Sequence, residues 1–180
     1  TFKFDFGQTF PAPTVSGQIS AIASGEGGAE QGTNQLVVFS NYDCCQSTNE
    51  GHFNGTDLVE TIVFQEINPS PADFIGKVFT FTFDAKRGNI EGVTTALAFF
   101  KTLDPNAGYA LTNFLTVDMT AVPTEWGTYS LSIYIDESLP GQILQFGFLT
   151  VATNYEGSGI FYDNLNFGIA PLDVGIDIKP

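Results

Sequence analysis

Residues able to do chemistry are few in this chain. Its two cysteines, Cys44 and Cys45, are neighbours, and the single histidine, His52, follows in the same polar stretch, NYDCCQSTNEGHFNGTD over 41–57. An ordinary disulfide joins Cα atoms about 5.5 Å apart. The adjacent pair is therefore either two free thiols or a strained vicinal bridge that stiffens one turn. Two cysteines and one histidine make no zinc pattern. His52 near Asp43, Asp57 and Ser47 is a loose cluster without the strand–turn–helix setting of an activated serine. The run GEGG at 25–28 is followed by neither the lysine nor the helix a phosphate loop needs. Trp126, the only tryptophan, can stack on a ring-shaped ligand or pack against the fold.

The segments that must position these residues alternate with a period of two, which is the signature of strands. In TFKFDF, Phe2, Phe4 and Phe6 share one face. GKVFTFTFDAKRGN is the clearest case, with Phe79, Phe81 and Phe83 on one side and Val78, Thr80, Thr82 and Asp84 on the other. QLVVFS, ETIVFQEI, TTALAFFKTLD, YALTNFLTVDM, WGTYSLSIYID, GQILQFGFLTVA and GIFYDNLNF continue the pattern, separated by Gly, Pro, Asn and Asp turns. In WGTYSLSIYID, Leu131, Ile133 and Ile135 oppose Ser130, Ser132, Tyr134 and Asp136. Eight to ten short strands with no 3.6-residue periodicity predict an all-β fold, an antiparallel β-sandwich of the jelly-roll kind. Residues 1–168 form one module on this reading, and 169–180 a C-terminal linker or the start of a following module.

Composition narrows the partners. The 180 residues are 43% hydrophobic and include 18 Phe, which excludes a disordered tail. Twenty acids against six bases leave a net charge of −14, with Arg87 the one arginine. A nucleic-acid ligand needs a basic footprint, and anionic membranes are disfavoured for the same reason. No apolar run approaches the roughly 20 residues of a membrane helix. Neutral ligands, metal cations or proteins remain. Asn54–Gly55–Thr56 is a glycosylation sequon that matters only in a eukaryotic secretory pathway.

Four segments carry a resemblance. EGGAEQGTNQLVV, GKVFTFTFDAKRGN, PTEWGTYSLSIYI and ILQFGFLTVATNYEGSGIFYDNLNF occur in the order and spacing of calcium-containing jelly-roll carbohydrate-binding modules, the group similar to families 4, 9 and 22 within the galactose-binding-like sandwiches. The resemblance spans roughly residues 2–168. It implies a secreted or cell-surface module that binds a neutral polysaccharide or oligosaccharide without cleaving it, in a chain that can also carry a catalytic or anchoring domain.

It also implies sites. A structural calcium ion would be held by Asp163 of YDNL, by Glu30 and the Thr33 carbonyl of EQGT, and by Asp5 of FDFG. Such an ion takes six to eight oxygens and would pin the chain ends together. Trp126 matches a family tryptophan that packs under the sandwich edge. The ligand cleft of such modules lies on a concave sheet, which here would offer Asp84, Lys86, Tyr134 and Gln145. Phe100 would supply an aromatic platform, with Phe99 the alternative because the register of LAFFK is ambiguous. Tyr42, His52 and Phe53 would sit on a loop at the cleft rim.

Catalysis on the same fold is the rival reading. One Arg and one His are too few for a uronate lyase. No E-x-D-x-x-E strand marks the paired carboxylates of a glycosidase, so no catalytic residue is expected. An extracellular adhesion or structural sandwich without glycan binding is the other alternative.

Overall fold

The structure, a computed structural model, describes residues 2–5, 20–40, 58–67, 72–90, 92–153 and 158–170. The strands are β1 (Phe2–Asp5), β2 (Ser20–Ser24), β3 (Asn34–Ser40), β4 (Leu58–Ile67), β5 (Val78–Arg87), β6 (Thr95–Asp104), β7 (Ala110–Asp118), β8 (Gly127–Tyr134), β9 (Ile143–Thr153) and β10 (Ser158–Ile169). They form two five-stranded sheets, a front sheet in the order β1-β4-β9-β6-β7 and a back sheet in the order β2-β3-β10-β5-β8. Every neighbouring pair is antiparallel. Two short 3-10 turns, Ala72–Phe74 and Pro105–Ala107, are the helical pieces among the described residues. The all-β sandwich is as the alternation predicts.

Alternation explains the core. Phe79, Phe81 and Phe83 of β5 point between the sheets; Phe81 and Phe83 meet Phe146 and Phe148 of β9 and Tyr162 of β10, and Phe79 stacks on Phe167. Phe148 stacks on Tyr162 with ring centroids 3.6 Å apart, and Phe146 on Phe167 at 4.1 Å. Each such ring taken fully out of water stabilises the fold by roughly 1.5–3 kcal/mol.

One irregularity positions the polar residues. The β10–β5 register shifts between Asp163 and Asn166, and Asn164 adopts a left-handed backbone at φ 51°. A bulge of this kind swaps the faces of a strand. Ile160 and Tyr162 face the core before it, Phe167 packs against the core after it, and Asn164 is left exposed on the outside. Asn tolerates the left-handed region better than most residues. The β2–β3 connection then folds over the outer face of the back sheet, where Gln31 reaches Asp84 and the Glu26 carbonyl meets Trp126.

Candidate functional site

The outer face of the front sheet carries apolar and polar residues in cross-strand rows. Ile62, Leu149, Leu97 and Asp118 form one row across β4, β9, β6 and β7. Phe64, Gly147, Phe99 and Thr116 form the next, then Glu66, Gln145, Lys101 and Phe114. Gly147 is required between Phe64 and Phe99: a Cβ there would stand 2.1 Å from the Val63 carbonyl oxygen.

Glu60, Ile62, Phe99, Lys101, Leu111, Phe114 and Leu149 line a depression of about 150 Å³ on this face. Its floor is buried, with Phe99 at 1% exposure, while Phe114 on the edge strand is 45% exposed. Their ring centroids are 6.0 Å apart. Lys101 lies between them and Gln145 and has no ion-pair or hydrogen-bond partner among the described residues. Gln145 donates to Glu66 Oε2 at 2.8 Å. The face thus offers a ring and apolar floor beside one ammonium, one amide and the carboxylates of Glu60 and Glu66. That mixture suits a ligand with alternating C–H and hydroxyl surfaces and no net charge.

The predicted ligand residues are split between the sheets. Gln145 lies on the outer face of the front sheet, buried at 8% exposure. Phe100 does not: it is fully buried, facing Phe146 and Phe167 in the core. Adjacent strand residues point to opposite faces, so Phe99, the alternative in LAFFK, takes the outer side of the sheet. Asp84, Lys86 and Tyr134 belong to the back sheet, on the opposite side of the sandwich from Gln145. They are also spread along it, since Asp84 pairs with Thr128 and Tyr134 with Val78, six positions and about 20 Å apart. Tyr42, His52 and Phe53 lie outside the described residues, as do Cys44 and Cys45. Phe114, Lys101 and Leu111 were not singled out by the sequence. The one available signal was the break in apolar alternation at Lys101 within AFFKTL.

On the back sheet a polar knot forms under the 25–33 loop. Asp84 accepts from Gln31 Nε2 and Asn164 Nδ2 on Oδ2 and from Thr128 Oγ1 on Oδ1, each at 2.7 Å. Burial alone would push its carboxyl up, but the hydrogen bonds from Asn164, Thr128 and Gln31 outweigh it and hold the carboxyl below the usual range. Lys86 is ion-paired with Glu26 at 2.8 Å and sits 5.5 Å over the Trp126 ring. Trp126 donates Nε1–H to the Glu26 carbonyl at 3.0 Å, the packing role expected of it.

Among the described residues, only Asp163 of the predicted calcium ligands is drawn into a polar cluster beside this knot, and its companions there, Gln35 and two loop carbonyls, were not among those predicted. Gln35 Nε2 lies 3.0 Å from the Gln31 carbonyl, 3.1 Å from the Gly32 carbonyl and 3.4 Å from Asp163 Oδ2. Gln35 Oε1 is buried with no partner among the described residues. An amide can be turned to exchange O and N without moving its frame. Turned so, the amide oxygen would join two carbonyls and the Asp163 carboxylate, oxygen donors of the kind a calcium ion takes. The loop is shaped around this cluster, because a Cβ on Gly27 would stand 2.2 Å from the Gly32 carbonyl and 2.8 Å from Gln35 Nε2. Glu30 is exposed and enters the knot by its carbonyl, which accepts from Asn164 Nδ2. Thr33 is also exposed. Asp5 closes β1, paired with Ile62, and its side chain lies outside the described residues.

No protein-family model matches the chain, and no curated protein matches it. Solved structures do. The enzymatically active domain of bacteriophage CBA120 tailspike protein 4 aligns over 94% of this chain at 14% identity and a TM-score of 0.54, and the chain spans about a fifth, 19%, of that structure. A family 16 carbohydrate-binding module aligns over 82% of this chain and 84% of its own, at 12% identity and a TM-score of 0.49. A family 22 xylan-binding domain from Paenibacillus barcinonensis aligns over 93% and 85%, at 8% identity and a TM-score of 0.48. The tailspike domain thus shares the fold of this two-sheet sandwich, and carbohydrate-binding modules of families 4, 16, 22 and 61 are among the weaker structural matches.

Proposed function

We propose that this chain is a non-catalytic module that binds a neutral polysaccharide across the outer face of its front sheet. The observation that carries the reading is the groove of Phe99, Phe114 and Leu149 with the unpaired Lys101 ammonium beside Gln145. Rings stack on the C–H faces of pyranoses, and the amide, ammonium and carboxylates serve the hydroxyls. The sequence resemblance to carbohydrate-binding modules points the same way. Cleavage on this face is disfavoured by spacing. Glu60 and Glu66 are six positions apart on one strand, about 20 Å, and Asp118 is three strands from β4, about 14 Å. A glycosidase pair must stand within about 10 Å.

Calorimetric titration with soluble glucans, xylans and mannans tests the reading. One of these should bind, and Phe114→Ala and Lys101→Met should each weaken it about tenfold without lowering the thermal midpoint. Silence across the panel, or wild-type affinity in both variants, would sink it. An adhesion role is the second reading, favoured by one observation: the edge strand β7 exposes Leu111, Phe114 and Leu115, where edges are normally kept polar.

A structural calcium ion at Asp163 Oδ2, the Gln31 and Gly32 carbonyls and Gln35 Oε1 belongs to the same proposal, supported by the buried unpartnered amide oxygen. Bound there, it would tie the 25–33 loop to the β10 bulge. Placement outside the cell, joined to a catalytic or anchoring domain, completes the reading, since tethering raises an enzyme's local concentration at its substrate. No described helix is long and apolar enough to cross a membrane.

A further inference from the structure

A second pocket, of about 260 Å³, opens on the back sheet, away from the groove. Gly28, Glu30 and Gln31 of the 25–33 loop line it with Asp84, Trp126 and Thr128. Among its lining side chains, Glu30, Gln31 and Asp84 bring oxygen acceptors. Gln31 is nine-tenths buried at 9% exposure; its amide nitrogen is spent on Asp84, and its Oε1 has no partner among the described residues. That oxygen lies over Gly28, 2.8 Å from where a Cβ would stand, with Trp126 Cδ1 at 3.1 Å from the same point. Thr128 Oγ1 gives its proton to Asp84, which leaves its lone pairs for a ligand.

The second feature is charge. Asp84 is 7% exposed and has no cationic partner among the described residues. Lys86, two positions along the same face, is held by Glu26. Buried carboxylates are normally paired. Asp84, Glu30 and nearby Asp163 carry three negative charges, so even a divalent ion at Asp163 leaves the wall of this pocket negative. A second metal ion would gain little, because Asp84 already accepts from three donors and an aromatic ring offers no oxygen. An organic ammonium gains from both the acceptors and the ring.

We infer that this pocket binds a primary ammonium carried on a compact hydroxylated ring, an aminohexose unit, with Gln31 Oε1 and Glu30 taking the ammonium, Asp84 adding its negative charge behind them and Trp126 covering the ring. The several acceptors suit a hydroxylated ring better than the aliphatic stem of a lysine. The site is independent of the front groove and stands whether or not that groove binds a glycan.

Trp126 is the only tryptophan, so its fluorescence reads this pocket directly. The purified chain would be titrated with glucosamine hydrochloride, glucose and Nα-acetyl-lysine amide, in calcium and in EDTA. Glucosamine should give a saturable change in both buffers, with glucose and the lysine amide at least about tenfold weaker. Glu30→Gln on the exposed loop should weaken glucosamine about three- to tenfold at an unchanged thermal midpoint, Gly28→Ala, which narrows the pocket by pressing on Gln31, should weaken it at least as much with a lower midpoint, and Tyr134→Ser should do neither. No saturable response to glucosamine overturns the inference. So does glucose binding as well, the lysine amide binding tighter, or wild-type affinity in both pocket variants.

Discussion

Asp118 illustrates how a single exposed carboxylate is tied into this fold. It ends β7 and accepts from Thr120 N on Oδ1 at 2.8 Å, closing the turn that buries Met119. The Thr120 side chain and backbone together hold its carboxyl below the ordinary value of 3.8, with burial opposing weakly. A carboxyl whose folded pKa is depressed stabilises the protein above the unfolded pKa, and that contribution is lost as pH falls through the folded one. Asp118→Asn should therefore cost up to about 1 kcal/mol at pH 7, kept small by solvent exposure. The difference from wild type should vanish near pH 2 in urea unfolding. A gap that persists at pH 2 would assign the loss to packing. Residue scale is also where the sequence was hardest to read. Phe99 and Phe100 are adjacent and chemically identical, and only the β6–β9 register places the first over the groove and the second in the core.

At the scale of elements, alternation gave away nearly every strand, because a half-buried strand must repeat every two residues. β2, SAIAS, escaped because it is short, made of small residues, and leaves its one large side chain, Ile22, exposed at a sheet edge. Alternation also cannot say which sheet a strand joins. Candidates on β5 and β8 were therefore grouped with those on β6 and β9, across the thickness of the sandwich. Gln35 was invisible for a different reason: its role depends on the bulge at Asn164, which brings Asp163 to the 25–33 loop. That junction makes a prediction of its own. If a calcium ion bridges loop and bulge, unfolding in millimolar calcium should occur at a higher midpoint than in EDTA, because an ion bound only by the native state stabilises it. Asp163→Asn should shrink the shift. Equal midpoints in both buffers would mean that the Gln35 amide alone closes the loop.

The whole molecule carries −14, and this sets a response that local contacts do not. Self-repulsion works against the compact state, and its screening length falls from about 10 Å at 0.1 M salt to about 3 Å at 1 M. Raising sodium chloride from 0.02 to about 0.5 M should therefore raise the thermal midpoint. The two proposed sites should answer differently. A neutral glycan on the front groove has no charge to screen, so its affinity should stay within about twofold over the same range. An ammonium ligand is drawn by the net negative pocket at Asp84 and Glu30, so its affinity should fall several-fold. One salt series, read by calorimetry on the groove and by Trp126 fluorescence on the pocket, thus separates the sites. A groove ligand whose affinity drops steeply with salt would have to be charged, with Lys101 as its anchor, and the neutral-polysaccharide reading would fall.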